Sequence, residues 1–227
     1  MTTVGGSGWT EQEIDAFRNH FPADVPVIPG IDPGISQDPD LHDALLAAAL
    51  PSMGTRDRMI YAAQRLLGTT EHPPGSNHND ITVFYNQHVA KIGDGPWCDM
   101  SVTEEAWNSG NEVAVLGGKG FAFVPAHMAW GKLRYGIHHG GVPPAGAIVG
   151  FRWDGAKGTT NCDHIGLCEK NLEDGTFYDL EGNIGDAFRR EHRDLTYVSC
   201  WFMPAYATTP TPVPAVADDD AWFLAVP

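Results

Sequence analysis

The chain has 227 residues, of which 42% are hydrophobic and 19% charged, so it is long and apolar enough to fold around a core. Its formal net charge of -15 at pH 7 argues against a nucleic-acid partner, which needs a basic surface, and against an anionic membrane surface. No stretch approaches the roughly 18 apolar residues of a membrane span, and the N-terminus lacks the basic region and apolar run of a signal peptide. We therefore expect a protein made in a cytoplasm, with neither a nucleic-acid nor a membrane partner.

Residues 1–52 predict an extension that precedes the main domain. The stretch WTEQEIDAFRNHF has a helical pattern and leads into a Pro/Gly-rich loop. DPDLHDALLAAAL then predicts a short helix that stops at Pro51, because proline cannot continue a helix.

The next two stretches differ in how clearly they specify a structure. Thr55 is a good N-cap for RDRMIYAAQRLL, and Gly68 is placed to end that helix. A later stretch, ITVFYNQHVA, is compatible with either a helix or a strand. The helical spacing of the first stretch is carried by Met59, Ala62, Ala63, Leu66 and Leu67.

The segment GPWCDMSVTEEAWNSG, residues 95–110, predicts a three-turn helix with Cys98 at its N-terminus. Val102 and Ala106 are four residues apart, which puts them on one face of a helix. Gly110 follows as an end signal. The same apolar stripe includes Met100, Thr103 and Trp107.

The second half of the chain changes to the two-residue period of strands. Strand candidates separated by Gly, Asp and Asn are AIVGFRW, HIGLCEK, TFYDLEGN, AFRRE and TYVSCWFM. Helices followed by an antiparallel sheet predict an α+β fold with the N-terminal helices packed on the sheet. Residues 207–227 are Pro/Thr-rich and then acidic, which is typical of a tail or linker.

The four cysteines do not indicate a metal site or a disulfide framework. No CxxC pair exists, so we predict neither structural zinc nor any other cofactor. A cytoplasmic origin makes stable disulfides improbable. Cys168 and Cys200 lie in apolar strand candidates, and we expect both to be buried small hydrophobic side chains.

Cys98 by itself has three possible roles: a buried thiol, a metal ligand or a nucleophile. A helix N-terminus favours the thiolate, which is the nucleophilic form. The adjacent Asp99 opposes a thiolate electrostatically, so a nearby imidazolium would have to be its main stabiliser.

Of the ten histidines, His164 has the best context for a base, because it begins a strand candidate. The next strand candidate ends with Glu181 and Asn183, which share a face of an extended chain. If Glu169 pairs with Thr176, His164 faces Glu181 directly across the ladder, about 5 Å away between Cβ atoms. A tight turn at Asp174–Gly175 would instead place His164 opposite Gly185, four residues away from Glu181 and too far for contact. A catalytic role therefore predicts the longer loop between the two strands.

Four motifs, PPGSN at 73–77, PWC at 96–98, DHIG at 163–166 and EGN at 181–183, stand in an order that resembles the CHAP family (cysteine, histidine-dependent amidohydrolase/peptidase). CHAP enzymes are papain-like, cut peptidoglycan and are common in phage endolysins. The resemblance covers a domain at residues 53–206 and ends at FMPAY, which looks like the closing strand of the family.

The resemblance implies a site with Cys98 as nucleophile, His164 as base, Glu181 as the residue that orients it and Asn183 as an auxiliary polar group. Asn77 is a candidate for a second oxyanion donor, and we place Asn77 and Trp97 on the substrate side. The implied enzyme is an N-acetylmuramoyl-L-alanine amidase or a peptidoglycan endopeptidase. We expect a monomer, made in the host cytoplasm, whose partner is bacterial peptidoglycan in the cell wall.

The chain also departs from the family. Asp99 stands where a small residue is common, and residues 1–50 have no counterpart. The calcium loop that some members carry before the cysteine is absent, so we do not predict calcium. Two other functions stay open: an inactive papain-like module that binds cell wall or virion, and a cytoplasmic cysteine amidase that acts on a small soluble amide.

Overall fold

The computed structural model describes residues 55–208, so the predicted N-terminal extension and nearly all of the C-terminal tail lie outside the described residues. Within 55–208, helices come first and strands follow. The helices are α1 (Arg56–Gln64), α2 (Asp80–His88), α3 (Cys98–Ser109), α4 (Glu112–Leu116) and α5 (Val124–Tyr135). The strands are β1 (Ile148–Phe151), β2 (His164–Asn171), β3 (Phe177–Glu181), β4 (Arg189–Arg193) and β5 (Val198–Phe202).

The first two helices begin at side-chain caps. Thr55 caps α1 as predicted, because its side chain accepts a hydrogen bond from the Arg58 N–H. The helix ends at Gln64, three residues before the predicted end. The ambiguous stretch ITVFYNQHVA is helical: Asn79 and Thr82 form a reciprocal capping box at the start of α2, which satisfies two N–H groups that a helix start leaves unpaired.

Helix α3 lies in the centre of the packing and begins at Cys98, as predicted. Gly110 ends it with φ of 72°, a left-handed conformation that glycine adopts without strain. The predicted apolar stripe is largely buried, including Met100, Val102 and Ala106. The start, the end and the buried face of α3 thus follow from local sequence.

Local sequence patterns did not predict α4 and α5, which connect α3 to the sheet. Helix α5 packs against β5 so closely that a Cβ on Gly131 would lie 2.3 Å from Cδ1 of Phe202. His127 and Met128 are buried on the same helix. This close approach explains why glycine occupies the middle of a helix, where it is otherwise unfavourable.

The strands form one antiparallel sheet in the order β4-β3-β2-β1-β5. The larger hydrophobic cluster joins the helices to the sheet, and a smaller one includes Val149, Phe151 and Phe177. All four residues of β1 are buried, as expected for a strand covered on both faces. The α+β class is therefore confirmed, and Cys168 and Cys200 are buried as predicted.

The predicted register between β2 and β3 is wrong. Leu167 pairs with Leu180, and a bulge between Cys168 and Lys170 shifts the rest of the ladder. Continuing the ladder from Leu167 by one step puts Gly166, not His164, opposite Glu181. His164 and Glu181 still share a face because they are diagonal neighbours, whose long side chains can meet.

None of the helices within residues 55–208 has the length and apolar character needed to cross a bilayer.

Candidate active site

The Cys98 thiol acts directly on the His164 imidazole and raises its pKa, although 65 residues lie between the two in the chain. Cys98 is the first residue of α3, and Trp97 before it provides no side-chain cap. The N–H groups of the first turn are therefore left without a capping side chain, and together with the helix dipole they favour an anion at this end. Cys98 keeps 7% of its surface exposed, against 1% or less for Cys162, Cys168 and Cys200.

The second nitrogen of His164 is held by a carboxylate. Nε2 donates a hydrogen bond to Oε2 of Glu181 at 2.8 Å, so Nδ1 is the nitrogen that remains to face Cys98. Burial alone would lower the pKa of His164, but hydrogen bonds and charge interactions with Cys98 and Glu181 outweigh burial and raise it to about 10. At neutral pH the ring is therefore an imidazolium between the sulfur and the carboxylate.

Glu181 is fully buried and is clamped from a second side by Arg193. The guanidinium donates to both carboxylate oxygens, at 2.7 and 2.8 Å. Burial works to raise the pKa of Glu181, and the hydrogen bonds from His164 and Arg193 overcome it and lower the pKa. The guanidinium also lies over the rings of Phe151 and Trp153, 5.5 and 5.7 Å from their centroids. Arg193 is a site residue that sequence reasoning missed.

Gly166 makes the diagonal contact between His164 and Glu181 possible. A Cβ at this position would lie 2.8 Å from Cγ of Glu181 and 2.0 Å from Oδ2 of Asp179. The glycine of the DHIG motif thus leaves the space through which the Glu181 side chain crosses to β2. Gly182 has a similar role at the end of β3, where a Cβ would meet Oγ of Ser101 at 2.5 Å.

The loop before α2 is tied to the start of α3 by a buried carboxylate. Glu71 accepts hydrogen bonds from the Trp97 indole at 2.9 Å and from the Asn77 backbone N–H at 2.8 Å. Asn183, in turn, donates from Nδ2 to Oδ1 of Asn77 at 3.5 Å. The structure therefore brings Asn77 and Asn183 together, and both adopt left-handed backbone conformations that asparagine tolerates.

Trp97 does not occupy the substrate side on which the sequence analysis placed it. Its side chain is fully buried, and its indole N–H is used by Glu71. A buried indole presents no face to a ligand. Trp97 instead anchors the loop that carries Asn77, and Glu71 is a further positioning residue that the sequence did not reveal.

Asp99, which was expected to oppose a thiolate at Cys98, is engaged elsewhere. Its Oδ1 lies 2.7 Å from Nδ1 of His127, and both side chains are fully buried. Nε2 of His127 donates to the Val115 carbonyl at 2.8 Å. The carboxyl group is thus taken up by a histidine from α5, which reduces its effect on the neighbouring sulfur.

Residues 55–208 contain no group of three or more His, Cys, Asp or Glu side chains arranged to hold a metal ion. Comparison with protein-family models, with curated proteins and with solved structures found no match to the chain. The chemistry of the site therefore has to be argued from its own geometry. A thiol at a helix start, an imidazolium in contact with it and a clamped carboxylate behind the ring are the parts of an acyl-transfer site.

Proposed function

We propose that the chain is a papain-like cysteine hydrolase of the CHAP type that cleaves an amide bond of bacterial peptidoglycan. The observation that carries the enzymatic part is the grouping of Cys98, His164 and Glu181: the thiol raises the pKa of the imidazole, and the imidazole is hydrogen-bonded to the carboxylate at 2.8 Å. The choice of peptidoglycan as substrate rests on the resemblance of the four ordered motifs to those of the CHAP family. We propose a monomer whose partner is the cell wall.

The proposed first step is acylation. The Cys98 thiolate attacks the amide carbonyl carbon, so a C–S bond forms as the C–N bond breaks. His164 gives its Nδ1 proton to the departing nitrogen, which leaves as an amine. Glu181 holds the ring in the required orientation and stabilises its positive charge, as a carboxylate behind a catalytic histidine does.

The proposed second step returns the enzyme to its starting state. Neutral His164 takes a proton from water, the hydroxide attacks the thioester carbonyl, and the C–S bond breaks to give a carboxylic acid and the thiolate. We propose the backbone N–H of Cys98, at the helix start, as the first oxyanion donor. Oδ1 of Asn77 accepts from Asn183, and its Nδ2 is proposed as the second donor.

Purified peptidoglycan sacculi provide the test of this function. The protein is incubated with sacculi, and the new amino groups and fragment masses are measured. We expect release of amines and a fall in turbidity with the wild type, and neither with Cys98→Ala. The matched control is Cys200→Ala, which removes a fully buried thiol from β5 and is expected to keep the activity.

Two results would contradict the proposal. Sacculi that stay intact while a small soluble amide is cut would move the function to a cytoplasmic amidase. Sacculi that bind both the wild type and Cys98→Ala equally, with no bond cut by either, would leave a binding module.

A further inference from the structure

Two large aromatic side chains beside the catalytic imidazole are exposed. Trp153, just after β1, is 41% exposed, and Tyr197, just before β5, is 44% exposed. The Trp153 ring lies 5.5 Å from the His164 ring between centroids, and Tyr197 meets Trp153 edge-on at 5.6 Å. We call this pair, Trp153 and Tyr197, the aromatic platform.

Hydrogen bonds of the backbone hold the two segments that carry the aromatic platform, and they do not involve its exposed surface. The backbone N–H of Trp153 donates to Oδ2 of Asp163 at 2.9 Å, and the backbone carbonyl of Tyr197 accepts from the backbone N–H of Arg152 at 2.8 Å. Nζ of Lys157 donates to three carbonyls of the same turn, those of residues 195, 196 and 198. Aromatic side chains have few rotatable bonds and lose little conformational entropy on binding, so a platform on an anchored backbone favours affinity.

We propose that the aromatic platform is the subsite for the amine half of the substrate, the part that leaves when Cys98 is acylated. This inference rests on the proposed function. In that mechanism His164 delivers its proton to the departing nitrogen, so the groups attached to that nitrogen pass beside the imidazole. Trp153 is the exposed side chain in ring contact with His164 on the described chain.

The chemistry of the aromatic platform selects an apolar occupant. The cations around the platform are already engaged: Arg193 is paired with Glu181, Arg152 with Asp154, and Lys157 donates to the three carbonyls named above. A flat indole with the edge of a phenol offers dispersion and hydrophobic contact rather than ion pairing. The favoured substrate is an amide whose amine half is an amino acid residue with an alkyl side chain.

The subsite can be probed separately from bond cleavage, because an added amine can replace water in the second step. The amine attacks the thioester carbonyl, a C–N bond forms, the C–S bond breaks, and the amine proton passes to His164. By microscopic reversibility this amine binds where the leaving amine was bound. The acyl donor is a soluble fragment mixture from sacculi, and the added amines are leucinamide and glycinamide.

We expect leucinamide to divert the acyl-enzyme at a lower concentration than glycinamide in the wild type, by about fivefold, the range of one aromatic–alkyl contact. Mass spectrometry gives the ratio of amide adduct to hydrolysis product. Trp153→Ala and Tyr197→Ala should each bring the ratio of leucinamide to glycinamide reactivity towards one, while water still hydrolyses the acyl-enzyme. Tyr197→Ala disturbs the catalytic histidine less than Trp153→Ala does, because Tyr197 contacts Trp153 and not the His164 ring.

Tyr178→Ala is the matched control. Tyr178 is 37% exposed on β3 and lines a separate cleft of about 510 Å³ that contains none of the proposed catalytic residues, so the preference should be unchanged. A wild type that forms no acyl-enzyme overturns the proposed function itself. An acyl-enzyme that takes both amides equally, or a preference that survives either platform variant, overturns the subsite and leaves the proposed function standing.

Discussion

Residues 55–208 contain two buried histidine–carboxylate pairs with nearly the same hydrogen-bond length. His164 and Glu181 are joined at 2.8 Å, and His127 and Asp99 at 2.7 Å. The difference lies in the second ring nitrogen. In His127 that nitrogen donates to the Val115 carbonyl, whereas in His164 it faces the Cys98 thiol.

A histidine–carboxylate pair therefore does not identify a catalytic site by itself. The His127 pair is completely buried and joins α3 to α5, as a structural cross-link would. The His164 pair opens on a reactive atom, and its carboxylate has a second clamp in Arg193. What the free nitrogen meets decides between the two roles.

Replacing each histidine by alanine should separate the two roles most strongly. His164→Ala removes the proton donor, so we expect amide cleavage to fall by at least about 10³-fold, while Glu181 keeps its bidentate partner and the fold persists. His127→Ala leaves Asp99 buried without its partner, and the free energy of unfolding should fall by about 3–5 kcal/mol.

The measurements are initial rates of amine release from sacculi and urea unfolding curves. The rate of His127→Ala is taken per folded molecule, from the unfolding curve at the assay temperature. If His127→Ala loses as much activity per folded molecule as His164→Ala, the distinction between a structural and a catalytic pair is wrong.

Glu181→Gln should move the pH dependence. In the wild type the raised pKa of His164 keeps the imidazolium, so its contribution to stability is complete below about pH 6.5 and is lost as the pH rises towards 10. Glutamine removes the carboxylate that helps to raise this pKa. We expect the basic limb of kcat/KM to move to lower pH and the rate to fall by about 10²-fold. An unchanged basic limb would exclude Glu181 as the partner of the ring.

Glu181→Gln should also change how the stability of the protein depends on pH in the acidic range. The lowered pKa of Glu181 gives stability that is present above about pH 4.5 and is lost as the pH falls through the lowered value. Glutamine does not titrate, so this loss between pH 4.5 and the lower value should be smaller in Glu181→Gln. Thermal unfolding over this pH range measures it.

Arg193→Lys tests whether the clamp or only the charge is needed. Lysine keeps a positive charge but cannot donate to both oxygens in a fixed fork, so Glu181 should be held less firmly. We expect kcat to fall by about tenfold, with KM nearly unchanged, because Arg193 acts through Glu181. Arg190→Lys is the control, since Arg190 binds Glu169 on the outer surface. Equal effects of the two variants would refute a positioning role for Arg193.

Asp99→Asn should have the smallest effect on the rate. Asparagine keeps a hydrogen-bond partner for His127 and removes the carboxylate beside Cys98. Because Asp99 is already paired with His127, we expect the rate to change by less than about threefold, with a stability cost of about 1–3 kcal/mol. A rate increase of tenfold or more would mean that the charge of Asp99 does act on the thiolate.

Local sequence predicted the helix at Cys98 and the strands, because apolar spacing and end signals act over short distances. The proposed roles of Cys98, His164 and Glu181 came from the resemblance to the CHAP family, and the structure brings these three side chains together. The register was not predictable. The bulge between Cys168 and Lys170 and the space above Gly166 arise from packing across strands. The directly opposed contact that was expected is replaced by a diagonal one.

The partners supplied from other elements were also invisible in the sequence. Arg193 lies in a run of charged residues with no signal to separate it from Arg189 and Arg190. His127 lies in a helix for which no start or end signal was recognised. Trp97 was expected on the substrate side but is buried. Local sequence does not show whether an aromatic residue will be buried or exposed.

Titration of the His164 ring by NMR, in the wild type and in Cys98→Ala, tests most directly whether the sulfur and the imidazole form one unit. We expect the ring to stay protonated well above pH 6.5, the ordinary pKa of an imidazole, in the wild type, and its titration midpoint to fall when the thiol is removed. A midpoint near pH 6.5 in both proteins would show that the sulfur does not act on the imidazole.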